Sequence, residues 1–128
     1  MMPLTYAWVI RRYFSDFRTV LDIASGNGEF MANVNFDKRY EVTGVELFDP
    51  YIDNAKSLGV YKEIVKQDVR EIAFEEKSFD VVHASQLVEH LKHEETLALI
   101  AKMEKIARRV VVVGTPNGHY DQDEYDGN

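Results

Sequence analysis

The sequence predicts an α/β fold, a doubly wound and mostly parallel sheet of about five strands, and three observations carry that prediction. From Val20 onward short apolar runs alternate with helical patterns, and Gly, Pro, Asn or Asp marks each switch, the sequence form of consecutive βα units. Several runs are Val-rich at their centres, as parallel strands covered on both faces require. The run ending at Ile23 passes directly into a stretch with Gly26 and Gly28 before the next helical pattern begins. With 128 residues and 45% hydrophobic content the chain reads as one domain, 1–128, with a single core. It has no cysteine, which excludes disulfide scaffolds and Cys-ligated zinc.

The elements follow in order. Leu4 to Phe17 reads as an amphipathic helix beside the sheet, with Arg11, Arg12 and Asp16 in solvent. Thr19 to Ile23 is the first strand, and Glu41 to Glu46, built on Val42 and Val45, the second. Asp49 caps the next helix and Pro50 takes its first position; Tyr51, Ala55 and Leu58 share a face, and Gly59 stops it. Tyr61 to Lys66 is the third strand, Phe79 to Ala84 the fourth, with Val81 and Val82 at its centre. A longer helix over His93 to Arg108 places Leu99, Met103 and Ile106 on its core stripe, with Lys102, Glu104 and Lys105 outward. Arg109 to Gly114 is the fifth strand. The stretch 117–128 carries Asp121, Asp123, Glu124 and Asp126 and is expected to be a loop or tail.

Charge narrows the partners. A net charge of -7 and a pI near 5.0 argue against nucleic acid as the main partner. The longest aliphatic run, Val110 to Val113, falls far short of the ~20 residues that span a bilayer. Met1-Met2-Pro3 lacks the basic start of a signal peptide. The expectation is a cytoplasmic protein with no membrane partner.

A strand that runs through a glycine turn into a helix brings backbone close to ligands. Glycine adopts φ > 0 and carries no Cβ, and the following helix is expected to present unpaired N–H groups to an anion. A nicotinamide dinucleotide site would continue Gly26-x-Gly28 to a third glycine, where Met31 stands. No Gly-Lys-Ser or Gly-Lys-Thr follows, so this is not a P-loop. Instead, Asp22-x-Ala24-x-Gly26-x-Gly28 resembles the first motif of the class I S-adenosylmethionine-dependent methyltransferases, D-x-G-x-G-x-G, with Ala24 replacing the first glycine. The resemblance extends through Gly44-Val45-Glu46, Gln67-Asp68-Val69, and Phe79-Asp80-Val81-Val82 leading to Glu89-His90-Leu91. That last pattern, with Thr115-Pro116-Asn117-Gly118, is similar to the type 11 branch, and the whole covers about Val20 to Pro116.

The resemblance implies a Rossmann-like sheet in the order 3-2-1-4-5, S-adenosylmethionine as cofactor, and in-line methyl transfer to a small-molecule acceptor. Glu46 lies eighteen residues after Gly28, close to the ~20 at which a strand-end carboxylate takes ribose hydroxyls in this architecture. Asp68 is placed to accept from the adenine amino group, Val69 to offer its N–H to a ring nitrogen, and Leu47 with Phe48 to sandwich the purine. Asp22 resembles the acid that faces the methionine ammonium. Each has a structural alternative: an ordinary βα turn for Gly26 and Gly28, a helix-capping or solvated acid for Glu46, a turn former for Asp68, and loop stabilisation for Asp22.

His83, at the end of strand 4, is the candidate substrate-side base, although alternation alone leaves open whether it faces pocket or core. His119 is placed similarly after strand 5. His90 and His93 with Glu89 and Glu94 have a metal-like helical spacing, but no further ligands converge on them, and no metal is expected. Tyr6 and Trp8 either close over the cofactor or pack a terminal helix. His83-Ala84-Ser85-Gln86 stands where an N-methyltransferase signature would carry Asn or Asp, two prolines and an aromatic. The family fold continues beyond strand 5 with an antiparallel pair of strands, and the stretch after strand 5 here is not expected to form them. A Val-rich strand 5 edge would then need cover, and a homodimer is the expected one. Three functions stay open: methyl transfer, a silent S-adenosylmethionine- or S-adenosylhomocysteine-binding module, and an NAD-dependent oxidoreductase.

Overall fold

A computed structural model describes residues 11–12, 16–84 and 91–114. The expected N-terminal helix apart from residues 11–12 and 16–17, the Tyr6 and Trp8 lid, Glu89, His90, His119 and the acidic stretch 117–128 lie outside them. The described chain runs β1 (Thr19–Ile23), α1 (Glu29–Val34), β2 (Glu41–Glu46), α2 (Asp49–Leu58), β3 (Glu63–Lys66), a single 3-10 turn (Val69–Glu71), β4 (Phe79–Ala84), α3 (His93–Ile106) and β5 (Ala107–Val113). The five strands form one sheet in the order β3-β2-β1-β4-β5, and every pairing is parallel. The expected fold class and strand order are both present. Reversal of strand order on either side of β1 makes a crevice at the carboxyl ends of the strands, where open α/β sheets bind ligands.

Side chains alternate across the sheet, and each face has its own core. Leu21 and Ile23 of β1, Val45, Val82, Ala84 and Val111 pack under Leu99, Met103 and Ile106 of α3. Val20, Val42, Val81 and Val110 face Met31 and Val34 of α1, with Tyr40 and Val60 closing the side. Buried Asn35 pins this second layer: its amide donates to the carbonyls of Tyr40 and Val60, both at 2.9 Å, and its oxygen accepts from the Tyr40 N–H at 2.8 Å.

Several details differ from the sequence-based expectation: α3 ends at Ile106 and β5 begins at Ala107, two residues before the strand was expected, and Arg11, expected in solvent, pairs with Asp37 at 2.9 Å. Phe48, not Asp49, is the N-cap of α2; Asp49 occupies the first turn and pairs with Lys66 at 2.9 Å. The buried stripe of α2 is Ile52 and Ala55, while Tyr51 and Leu58 are 44% and 38% exposed. The apolar count on that helix misleads because Tyr51 belongs to the rim of a cleft, not to the core. β3 begins at Glu63, since Tyr61 turns its ring toward the glycines before pairing starts.

The opposite, amino-terminal end of the sheet is tied by Asp80. Its Oδ2 accepts from the N–H groups of Arg18 and Thr19 at 2.8 and 3.1 Å, and its Oδ1 takes Nε and Nη2 of Arg108 at 2.9 and 2.7 Å. The register between β4 and β5 shifts between Phe79 and Val81, so Arg108 sits in the irregular stretch that faces this carboxylate.

Candidate functional site

The turn after β1 repeats a left-handed backbone at every second residue. Ala24, Gly26 and Gly28 have φ of 56°, 64° and 88°. Position 24 therefore uses the conformation that a glycine adopts freely, and alanine holds it under strain. The two glycines differ in surroundings. A Cβ on Gly28 would stand 2.9 Å from Ala55 Cβ and 3.0 Å from its Cα, whereas one on Gly26 would meet nothing within 4 Å. Gly28 lets α2 approach the turn; Gly26 faces open space in the crevice.

That crevice is a cleft of about 320 Å³. Ala24 and Gly26 line it from β1, Glu46, Leu47 and Phe48 from the end of β2, and Asp68 and Val69 from the end of β3. Gln67, Arg70, Tyr51 and Leu91 complete the wall. Of the eight expected cofactor-binding positions, Ala24, Gly26, Glu46, Leu47, Asp68 and Val69 are brought together here. Asp22 and Gly28 are buried behind the cleft wall.

Glu46 spans the join between turn and cleft. Its Oε1 accepts from the Gly26 N–H at 2.8 Å, and its Oε2 from the N–H groups of Leu47 and Phe48 at 3.0 and 3.1 Å. A carboxylate offers about four acceptor sites, so one stays open for a hydroxyl in this arrangement. Across the cleft Asp68 caps the 3-10 turn through the Arg70 N–H at 2.9 Å, and the Arg70 guanidinium grips both its oxygens at 3.0 and 2.9 Å. The Arg70 contacts hold the Asp68 carboxyl below its ordinary range, and Asp68 in turn raises the Arg70 guanidinium. Asp68 is thus an acceptor with an open site at the cleft. Arg70 is the partner that a sequence reading misses, because a guanidinium two residues downstream is common on any loop.

Four N–H groups in and just after the turn already have protein partners, Glu29 of the following helix among them. The Ser25 N–H donates to the Val45 carbonyl at 3.1 Å, Gly26 to Glu46, Gly28 to the Ser25 carbonyl at 3.4 Å, and Glu29 to Asn27 Oδ1 at 3.0 Å. Short α1, of six residues, presents no anion site of its own.

His83 and Asp22 are neighbours on adjacent strands, both 2% exposed. His83 faces the core, resolving the alternative that alternation left open. Its ring stacks on Phe30 with centroids 4.9 Å apart, and Nδ1 lies 3.0 Å from Asp22 Oδ1. Asp22 Oδ2 accepts from the Tyr61 hydroxyl at 2.7 Å. Burial, then the adjoining Asp22 charge, raises the Tyr61 phenol well above its ordinary range, so it stays a donor. Asp22 stabilises the strand end through these side chains, not through its own backbone bonds. Sequence reasoning did not find Tyr61 as a site residue; nothing in its local pattern separates it from a core tyrosine. Among the described residues no three His, Cys, Asp or Glu side chains gather as a metal site, and no helix is long and apolar enough to cross a membrane.

Strand order, glycine turn and two acids facing one cleft define a nucleoside-binding α/β domain. Comparison with known families makes this specific: residues 21–119 match the methyltransferase domain, and the chain belongs to that family, the S-adenosylmethionine-dependent methyltransferases of type 11. A search of curated proteins returned no match. Among solved structures, the chain is 29% identical to an S-adenosylmethionine-dependent methyltransferase from Archaeoglobus fulgidus, covering 81% of this chain and 48% of that one, with a TM-score of 0.64. It is 27% identical to the PH0226 protein of Pyrococcus horikoshii OT3, covering 81% and 50%, with a TM-score of 0.71. The S-adenosylmethionine-bound amino pentose methyltransferase CalS10 of Micromonospora echinaspora shares the fold at 23% identity, over 91% and 52%, with a TM-score of 0.68. The chain spans about half the length of these solved relatives.

Proposed function

We propose that this chain binds S-adenosylmethionine in the cleft and transfers its methyl group to a small-molecule acceptor. The observation that carries the reading is the Glu46 carboxylate, held 2.8 Å from the Gly26 N–H at the mouth of a cleft whose far wall bears Asp68. A volume of about 320 Å³ is within the usual range for a small-molecule site, and the missing Cβ at Gly26 leaves room for a sugar against the backbone. Two carboxylates suit a ligand that carries hydroxyls, an amino group and positive charge, and repel one that carries phosphate. The residues present therefore fit the cofactor.

In this reading Glu46 accepts from the ribose, yielding one of its backbone bonds if both hydroxyls are gripped. Asp68, oriented by Arg70, accepts from the adenine amino group, and the Val69 N–H faces a ring nitrogen. Leu47, 51% exposed, and Phe48, 54% exposed, gain apolar cover from the purine. When bound, S-adenosylmethionine supplies a methyl group on a sulfonium, an electrophile with its leaving group already in place. The chain's task is then alignment, which brings effective molarities on the order of 10⁵ to 10⁸ M without a covalent intermediate. His83 is assigned to hold Asp22, not to meet the acceptor, because its ring lies beneath Phe30. A sugar-like acceptor is in keeping with CalS10, whose substrate is an amino pentose. Among the described residues β5 is the outer strand, with Val113 42% exposed, and we assign its cover to a second copy of the chain.

Titration calorimetry with S-adenosylmethionine, S-adenosylhomocysteine and NAD tests the cofactor: binding of the first two and not the third is expected. Affinity for NAD alone overturns the reading. Radiolabelled methyl transfer to amino sugars and other small acceptors tests turnover; tight binding with no transfer to any of them makes the chain a silent module. Light scattering that shows a monomer at tens of micromolar refutes the second copy.

A further inference from the structure

The left-handed turn is held from several sides. β2 clamps it through the Val45 carbonyl and Glu46, and α2 through Asn54, whose amide donates to the Asn27 carbonyl at 2.8 Å. Beneath it lies Tyr61, which reaches both ends of the turn. Its hydroxyl donates to Asp22 Oδ2 at 2.7 Å, two residues before Ala24. One ring edge, Cε1, stands 3.2 Å from where a Gly28 Cβ would be, and the other, Cε2, 2.9 Å from where a Gly44 Cβ would be. The ring fills the space that two missing Cβ atoms leave, and so spaces the turn from β2.

The second Asp22 oxygen is held by His83. An ionised carboxylate only accepts, so the proton of that contact belongs to His83 Nδ1. Nε2 is buried without a partner, beside a small apolar cavity lined by Val20, Phe30, Met31 and Val112. A buried ring nitrogen is left unmet while Nδ1 serves Asp22, which marks the Tyr61–Asp22–His83 arrangement as one held in place at some cost.

We propose that Tyr61 is a positioning residue of the adenosyl site. Ring and hydroxyl together set the span of the turn between Asp22 and Gly28, and hence where Gly26 and Glu46 meet the ligand. This rests on the cofactor reading above and adds the residue that acts on the site without touching the ligand. Removing the hydroxyl frees one Asp22 oxygen and lets the strand end relax; removing the ring also takes away the wedge between Gly28 and Gly44.

The test compares wild type, Tyr61→Phe and Tyr61→Leu, each measured below its melting temperature with its fold checked by circular dichroism. Tyr61→Phe is expected to weaken S-adenosylhomocysteine binding about tenfold, and Tyr61→Leu by more, since a displacement of about 1 Å at a positioned site can cost on the order of 10²-fold. In an Asp22→Asn background the Tyr61→Phe change is expected to move affinity less than about twofold, because the two residues act as one unit. Amide exchange at Gly26 and Gly28 in the ligand-free protein is expected to speed up in Tyr61→Phe while core β-strand amides keep their rates. A Tyr61→Phe variant that melts earlier but binds and exchanges as wild type does overturns the proposal, and so do additive effects with Asp22→Asn. If wild type binds no S-adenosylhomocysteine, the cofactor reading fails, and the exchange rates alone decide whether Tyr61 spaces the turn. If Tyr61→Phe does not fold, His83→Asn, which keeps a donor toward Asp22, must bind about tenfold tighter than His83→Leu.

Discussion

Gly26 and Gly28 stand two residues apart in one motif, and alanine at each is expected to fail in opposite ways. Gly28 has φ 88°, and an added Cβ would sit 2.9 Å from Ala55 Cβ and 3.0 Å from its Cα. The left-handed backbone costs alanine ~1–2 kcal/mol, and overpacking against a helix backbone ~1–3 kcal/mol more. Less the ~0.4–1 kcal/mol by which alanine restricts the unfolded chain, Gly28→Ala lowers stability by roughly 2–4 kcal/mol, which many domains of this size barely survive. Gly26 has φ 64° and no atom within 4 Å of the new Cβ, so only the backbone penalty applies. It is offset in part by the unfolded chain's lost freedom, leaving about 1 kcal/mol. Ala24, at φ 56°, shows that this chain already carries one such alanine. The Gly26→Ala methyl would project into the cleft and strike the ligand instead. Urea denaturation should rank Gly28→Ala far below Gly26→Ala in stability, while calorimetry with S-adenosylhomocysteine finds Gly26→Ala folded and at least about tenfold weaker. Equal midpoints, or wild-type affinity in Gly26→Ala, would refute the division of labour between the two glycines.

Further outcomes follow from other parts of the molecule. Glu46→Gln sets an amide where three N–H groups expect an anion, and the loss of charge-assisted bonds worth ~1.5–3 kcal/mol should weaken S-adenosylhomocysteine by roughly 10- to 100-fold in calorimetry. Ala24→Gly relieves strain but frees the unfolded chain, and its urea midpoint should correspond to a change within about 0.5 kcal/mol of wild type. Burial pushes the Asp80 carboxyl up, but the Arg18 N–H, the Arg108 guanidinium and the Thr19 N–H together outweigh it and bring it to about 2. A carboxyl lowered on folding stabilises above its unfolded pKa of ~3.9 and loses that contribution as pH falls through the folded value. Asp80→Asn should thus cost about 2 kcal/mol at pH 7 in urea denaturation, and the gap to wild type should narrow steadily from about pH 4 toward pH 2. Met103→Ala removes a fully buried side chain far from the cleft and should cost ~2–5 kcal/mol, with S-adenosylhomocysteine affinity unchanged below the melting temperature.

Much of the fold is legible in the primary structure because its strands are covered on both faces. Val42, Val45, Val81, Val82 and Val110 to Val113 have no amphipathic alternative to a buried parallel strand. The strand-end acids are legible too, since spacing along βα units places Glu46 and Asp68 on the same edge of the sheet. Side-chain direction is not. Tyr51 looks like core on a helical wheel yet lines the cleft, and His83, whose facing alternation leaves open, stacks under Phe30. Tyr61 is hidden for the same reason: its importance comes from glycines 33 and 17 residues away in sequence, whose missing side chains it replaces. Local pattern reports what a residue is made of; what it fills depends on atoms that other segments do not have.

The bonds already made around the turn have a consequence for what this scaffold could be turned into. Each donor from Ser25, Gly26, Gly28 and Glu29 already has a protein oxygen in front of it, and one of those oxygens belongs to an anion. A cradle that in other α/β domains waits for pyrophosphate is here plugged from within. Retooling it for a dinucleotide would mean unplugging it first, by exchanging Glu46 for a neutral side chain and vacating the Asn27 cap, before any new contact could be added.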